Sequence, residues 1–175
     1  MLKNELGFEE IRAFEVNPKR AQEASKTIKD IQVFDSIEKT VEGVDAVIVC
    51  TPTSKHIENL TEINKLGCFH LFIEKPFSHT LAGCEELIHT QERANKITFI
   101  GYVLQFHPML IKAKELLDAN TIGRIISARA ERGLYLPEWH PWEDYRDFYM
   151  SWKAGGGGVI LDVSTEINYL NWLFG

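Results

Sequence analysis

The chain has 175 residues, 45% hydrophobic and 25% charged, which is enough for one folded core and part of a second. Lys and Arg number 19 against 25 Asp and Glu; the net charge is −6 and the basic residues are scattered, so the electrostatic footprint of a nucleic-acid binder is missing. No apolar run approaches the roughly 20 residues that cross a bilayer, and the start Met1-Leu2-Lys3-Asn4-Glu5 lacks both the basic and the apolar part of a secretory signal.

In chain order, Leu2 to Phe8 reads as the tail of a helix. Ile11 to Val16 reads as a strand stopped by Asn17-Pro18, and Lys19 to Lys29 as a helix with Pro18 at its start. Gln32-Val33-Phe34 is a short strand, and Ser36 caps a helix over Ile37 to Glu42 that Gly43 ends. Ala46 to Cys50 is a continuous apolar run, as in a strand buried on both faces of a parallel sheet. Thr51 to Ser54 turns into a helix from Lys55 to Leu66, closed by Gly67, and Phe69 to Ile73 is the next strand. Thr80 caps a helix running to Asn95, and Ile97 to Ile100 is another strand. This alternation predicts a doubly wound α/β sheet. After Gly101 the pattern changes to a helix over Pro108 to Ala119, a half-exposed strand over Ile125 to Glu131, an aromatic loop over Leu134 to Trp152, four glycines at 155–158, and a helix over Val159 to Phe174.

Cys50, Cys68 and Cys84 are odd in number and lack Cys-x-x-Cys spacing, which predicts a reducing cytoplasm, with Cys50 a packed small residue. The six His have no metal-ligand spacing, so no metal is expected. The strand ending at Ile73 runs into Glu74-Lys75-Pro76. A lysine where a buried strand emerges is costly to bury and well placed as a proton donor, Glu74 could hold its ammonium, and Pro76 stops the strand. Open α/β sheets bind ligands at this end. No G-x-G-x-x-G turn occurs in the sequence, so the first strand of a dinucleotide-binding sheet and its glycine-rich turn are expected to be missing, and the chain to be a fragment at both ends.

Several features come in the order of one family: Glu15 before Asn17-Pro18, the run Val49-Cys50-Thr51-Pro52-Thr53-Ser54-Lys55-His56, Glu74-Lys75-Pro76, Gly101-Tyr102, Phe106-His107-Pro108, and Gly155-Gly156-Gly157 with Asp162 downstream. Together they resemble the Gfo/Idh/MocA family of NAD(P)-dependent sugar and polyol oxidoreductases. The resemblance implies a Rossmann-like domain over residues 1–103 and the start of an α+β substrate and oligomerisation domain over 104–175. It implies hydride transfer between NAD, less readily NADP, and a hydroxyl or carbonyl of a sugar, polyol or sugar nucleotide, in a full-length protein that is a homo-oligomer; the charge balance and hydropathy add the expectation of no nucleic-acid or membrane partner. Lys75 and Asp162 match catalytic positions. Glu15, Thr51, Pro52, His56, Glu74, Pro76 and Tyr102 match cofactor-binding ones, with Glu15 favouring NAD by repelling a 2′-phosphate. His56 could equally be a surface residue of a helix N-terminus.

The aromatic loop offers Tyr135, Trp139, His140, Trp142, Tyr145 and Arg146 to a sugar substrate or to a sheet face. The glycines either allow a close backbone approach or form a linker. One departure stands out: the family's acid/base His falls at Thr165, whose hydroxyl cannot exchange protons near neutrality as imidazole does. Asn168 stands where the family often has Asp, and His140 and Glu166 are the candidate substitutes. The rival reading is a non-catalytic remnant that binds a ligand or partner without turnover.

Overall fold

The computed structural model describes residues 7–175, so the helix expected over residues 2–8 lies largely outside the described residues. Strand β1 spans Ile11–Phe14 and is followed by helix α1, Pro18–Thr27. Asn17 starts that helix, its Oδ1 accepting the Lys19 and Arg20 amide protons at 2.9 and 3.3 Å, with Pro18 in the first turn where no amide is needed. Strand β2, Ile31–Phe34, lies parallel to β1 with Ile11 opposite Ile31. Helix α2, Ile37–Val41, is capped by Ser36 as expected, its Oγ accepting from the Lys39 amide.

Strands β3 (Ala46–Val49), β4 (His70–Ile73) and β5 (Thr98–Ile100) form a second parallel sheet in that order. Helix α3 (His56–Leu66) crosses from β3 to β4, and α4 (Cys84–Arg93) crosses from β4 to β5. The order 3-2-1-4-5-6 of a doubly wound sheet, taken without its first strand, gives these two pieces, 3-2 and 4-5-6. The core lies under the second sheet. Leu71 and Ile73, two apart and so on one face of β4, are 4% and 0% exposed against Leu60 and Ile63 of α3 and Leu87 of α4. On the other face Phe72 stacks on Phe99 at 5.4 Å, and Phe99 meets Phe106 at 5.6 Å.

Helices α5 (Pro108–Asp118), α6 (Leu136–Trp139), α7 (Val159–Asp162) and α8 (Ser164–Phe174) complete the described chain. None of the described helices is long and apolar enough to cross a membrane.

Four expectations are corrected. The strand over Ile125 to Glu131 does not form: Ile126 is 86% exposed, and no described strand lies beside the segment to take its backbone hydrogen bonds. The helix expected from Thr80 begins at Cys84, because Gly83 adopts the left-handed conformation that starts it (φ 78°). Cys50 is exposed rather than packed: β3 is an edge strand, and no described residue covers the face that also carries exposed Ala46 and Ile48. The terminal helix is two helices, α7 and α8, broken at Val163.

Candidate active site

All the strand-end residues singled out above lie at the carboxyl ends of parallel strands: Glu15 beyond β1, Thr51 and Pro52 beyond β3, Glu74 to Pro76 beyond β4, and Gly101 and Tyr102 beyond β5. Parallel pairing puts them on one rim of each sheet: every strand presents its last carbonyls and the start of its connecting loop on the same side.

Glu15 is half-buried, and its Oε1 accepts the Asn17 amide proton at 2.8 Å, which folds the carboxylate back over the start of α1. Thr51 is fixed from two sides: Asn59 Nδ2 donates to its Oγ1 at 3.0 Å, and its carbonyl lies 2.8 Å from His56 Nε2. His56 is not on the surface. It is 1% exposed, and its Nδ1 lies 3.1 and 3.2 Å from the carbonyls of Pro76 and Phe77. With both ring nitrogens on backbone, it ties the Thr51 turn to the loop after Lys75 and cannot also reach a ligand. The expected direct cofactor contact is thereby corrected to a positioning one.

Lys75 does not pair with Glu74 as the tripeptide suggested. Glu74 Oε2 accepts the Lys75 backbone amide at 3.2 Å, and Gly101 leaves room for that carboxylate, since a Cβ there would stand 3.2 Å from Oε2. The Lys75 ammonium instead donates to Asp162, at 2.9 Å to the carbonyl oxygen and 3.3 Å to Oδ1. The break between α7 and α8 makes this possible. Glu166 donates to the Val163 carbonyl, three residues back, instead of to Asp162, so the Asp162 carbonyl is left for the lysine. The lysine and aspartate side chains are 21% and 15% exposed, a pairing largely withdrawn from solvent and spanning 87 residues of sequence.

The glycines allow close approach; they are not a linker. A Cβ on Gly155 would stand 2.5 Å from the Tyr149 carbonyl oxygen, and one on Gly157 would overlap the Met150 carbonyl. Gly156 has φ 84°, and its Cβ would meet Thr53 Cβ at 2.8 Å and the Ser54 amide nitrogen at 2.9 Å. This packing brings a residue into the site that sequence reasoning missed. The Tyr149 phenol is pushed above its usual range, first by burial and then by the Asp162 and Glu74 carboxylates. Its sequence signal was slight: one more aromatic in an aromatic loop, just ahead of the glycine run.

The other substrate-loop residues are not gathered around Lys75. Tyr135 is 69% exposed. Arg146 is committed to Asp144 and lies over the Tyr145 ring at 5.9 Å. His140 is wedged between Trp142 (4.9 Å, edge-on) and Phe148 (4.4 Å), with Glu143 3.8 Å from its Nδ1. Glu166 Oε1 is held by Arg132 at 3.2 Å. Neither His140 nor Glu166 bonds Lys75 or Asp162 among the described residues, so neither takes the place of the family His. Thr165 is 7% exposed.

The comparisons with known proteins bear on the family and the fold. The model of an oxidoreductase family with an NAD-binding Rossmann fold matches residues 2–102. The 2,7-anhydro-N-acetylneuraminate hydratase of Mediterraneibacter gnavus is 28% identical over 137 residues, 77% of this chain and 34% of that protein. The myo-inositol 2-dehydrogenase of Thermotoga maritima is 37% identical over 82 residues, 47% of this chain and 24% of that protein. The chain thus spans about a quarter to a third of the length of these relatives. The crystal structure of myo-inositol 2-dehydrogenase from Lactobacillus plantarum covers 98% of this chain and 50% of that one at a TM-score of 0.78 and 18% identity. The WlbA dehydrogenase from Bordetella pertussis, in complex with NADH and UDP-GlcNAcA, covers 94% and 47% at a TM-score of 0.71 and 19% identity; both show the shared fold. Parallel strands ending on Glu15, Thr51, Lys75 and Tyr102, in a chain that the family model matches over more than half its length, place it in the Gfo/Idh/MocA family of oxidoreductases with an NAD-binding Rossmann fold.

Proposed function

We propose that this chain carries the proton-handling half of an NAD-dependent dehydrogenase that acts on a sugar, a polyol or a sugar nucleotide. The observation that carries the reading is the Lys75 ammonium, brought from the end of β4 onto both the carbonyl and the carboxylate of Asp162. The names of the relatives support the substrate class: a myo-inositol dehydrogenase, a D-xylose dehydrogenase from Paenarthrobacter nicotinovorans and a UDP-N-acetylglucosamine 3-dehydrogenase from Acidithiobacillus ferrooxidans.

The residues present fit the cofactor at two of its parts. Glu15 stands just beyond the end of β1, where a carboxylate would hold the adenosine ribose and disfavour a 2′-phosphate, so NAD is the proposed form. Thr51, Pro52 and Tyr102 would flank the nicotinamide side. The bound cofactor would supply the hydride chemistry. The protein's part is to place the reacting carbon, exclude water and hold a proton donor at its oxygen; that donor is Lys75 Nζ, aimed by Asp162. Ser164 Oγ and Asn168 Oδ1, four residues apart and so on one side of α8, are buried without a protein partner, as groups that meet a polyhydroxylated ligand or water are. Residues 1–103 form the cofactor part in this reading and 104–175 open the substrate and oligomerisation part.

A second reading, ligand binding without turnover, is favoured by one observation: Thr165 is a buried Thr where the family has an acid/base His. One experiment separates the two. NADH binding is followed by nucleotide fluorescence, and turnover by NAD reduction with a panel of inositols, aldoses and UDP-N-acetylhexosamines. The dehydrogenase reading expects turnover that Lys75→Met abolishes while NADH binding persists. Undiminished turnover in Lys75→Met refutes it, and binding without any turnover favours the second reading.

A further inference from the structure

The loops beyond β3 and β4 hold three main-chain carbonyls that need a donor: Thr51 on the first, Pro76 and Phe77 just after Lys75 on the second. Among the described residues no main-chain amide donates to any of them. One side chain reaches all three. His56 Nε2 lies 2.8 Å from the Thr51 oxygen, and Nδ1 lies 3.1 and 3.2 Å from the Pro76 and Phe77 oxygens. The ring is 1% exposed, so bulk water reaches neither nitrogen. Two other histidines show the opposite arrangement. The Ile97 amide donates to His70 Nδ1 at 3.1 Å and the Met109 amide to His107 Nδ1 at 3.2 Å, so each of those nitrogens presents a lone pair. His56 meets acceptors on both sides, and a carbonyl oxygen has no proton to give.

We propose that His56 is held as a doubly protonated imidazolium, a buried cation that donates from both ring nitrogens and so fastens the Thr51 turn to the loop that carries Lys75. A neutral ring has one N–H. With the proton on Nδ1 alone, a lone pair would face the Thr51 oxygen; with it on Nε2 alone, a lone pair would face the Pro76 and Phe77 oxygens. Either form leaves a carbonyl unpaired in a place that water does not reach, and that is the costly outcome. Turning the ring over would press a ring carbon onto the Thr51 oxygen, closer than carbon and oxygen approach. Burial alone disfavours the charged form. Against it stand three carbonyl dipoles with their negative ends on the ring, and a charged donor makes the stronger bond. The charged groups on the elements that meet here are committed elsewhere: Lys55 to Glu58 on the ring's own helix at 2.7 Å, Lys75 to Asp162, and Glu74 to the Lys75 amide. Cys50, ahead of Thr51, and His79, beyond Phe77, are exposed. Among the described residues main chain alone meets the charge. The charge state stands apart from the dehydrogenase reading; its use, holding Lys75 in register with the Thr51 turn, rests on that reading.

The imidazole ¹H–¹⁵N spectrum of the full chain at neutral pH tests the charge state, with His56 assigned by replacing the other five histidines in turn. His56 is expected to show two protonated ring nitrogens, with Nδ1 of His70 and His107 as the unprotonated reference. An unprotonated nitrogen on His56 overturns the proposal, whatever the chain catalyses. The fastening is tested with NAD and the substrate panel above. His56→Gln carries its donor protons on one atom and cannot reach both loops. With the wild-type circular dichroism retained, it is expected to lower kcat/KM for NAD by roughly 10²-fold, as a small displacement of Lys75 from the cofactor would. A folded His56→Gln with unchanged kcat/KM overturns the fastening and leaves the dehydrogenase reading standing, since that reading depends on Lys75→Met. If no panel member turns over, the dehydrogenase reading fails on its own. In that case, or if His56→Gln does not fold, the imidazole spectrum of the unaltered His56 decides.

Discussion

Lys75 shows what a single residue gains from its setting. On the surface its ammonium would form a screened ion pair of little worth; at the rim of the sheet it meets a carbonyl and a carboxylate together, largely out of solvent. The contrast with Arg146 and Asp144 is instructive, because that pair is fully exposed and only two residues apart. There the Arg146 side chain and amide hold the Asp144 carboxyl at about 2, below the usual 3.8. A depressed carboxyl favours the folded turn wherever the carboxylate form is populated, so its contribution is present above about pH 3.8 and is lost as pH falls toward about 2. The expected outcome is an Asp144 carboxyl ¹³C titration with its midpoint near 2 that returns to the ordinary aspartate range in Arg146→Ala. Because the pair is exposed, added salt should weaken the shift.

Among the elements, the glycine run and the break at Val163 do the positioning. The break departs from the single helix that the apolar pattern over Val159 to Phe174 suggested. The break leaves the Asp162 carbonyl for Lys75, and the glycines let two turns touch. Gly156 is the most constrained of them, with a left-handed φ of 84° and no room for a methyl group. Gly156→Ala should therefore cost roughly 1–3 kcal/mol in backbone strain, and more if Thr53 cannot yield. In urea denaturation this reads as a lower midpoint at constant slope. A wild-type midpoint would mean that the two turns separate freely. The helix caps at Asn17 and Ser36 were legible in sequence because a cap is a local bargain between one side chain and the next three amides. The helix break was not, because the group that takes the freed Asp162 carbonyl, a lysine 87 residues away, is not local.

At the scale of the whole molecule, two parallel sheets each present an edge without a strand partner among the described residues. Ile48 on β3 is 51% exposed beside exposed Cys50, and Val16 beyond β1 is 80% exposed. Such edges template pairing between chains. The chain is expected to self-associate with rising concentration in sedimentation velocity, and Ile48→Lys to reduce that association by setting a charge on the edge strand; a wild type that stays monomeric would contradict this. What the sequence alone determined is whatever depends on neighbours along the chain: the strand–helix alternation, the caps, the placing of Glu15, Thr51, Glu74 and Lys75 at strand ends, and the order of motifs that marks the family. Tertiary structure decided the rest. It gave Lys75 to Asp162 rather than to Glu74, buried His56 as a strut, left residues 125–131 without a strand, and set Gly156 against Thr53. The physical reason is common to all four. Each turns on which partner occupies a space that residues distant in sequence enclose, and a pattern of types along one chain carries no record of that occupancy.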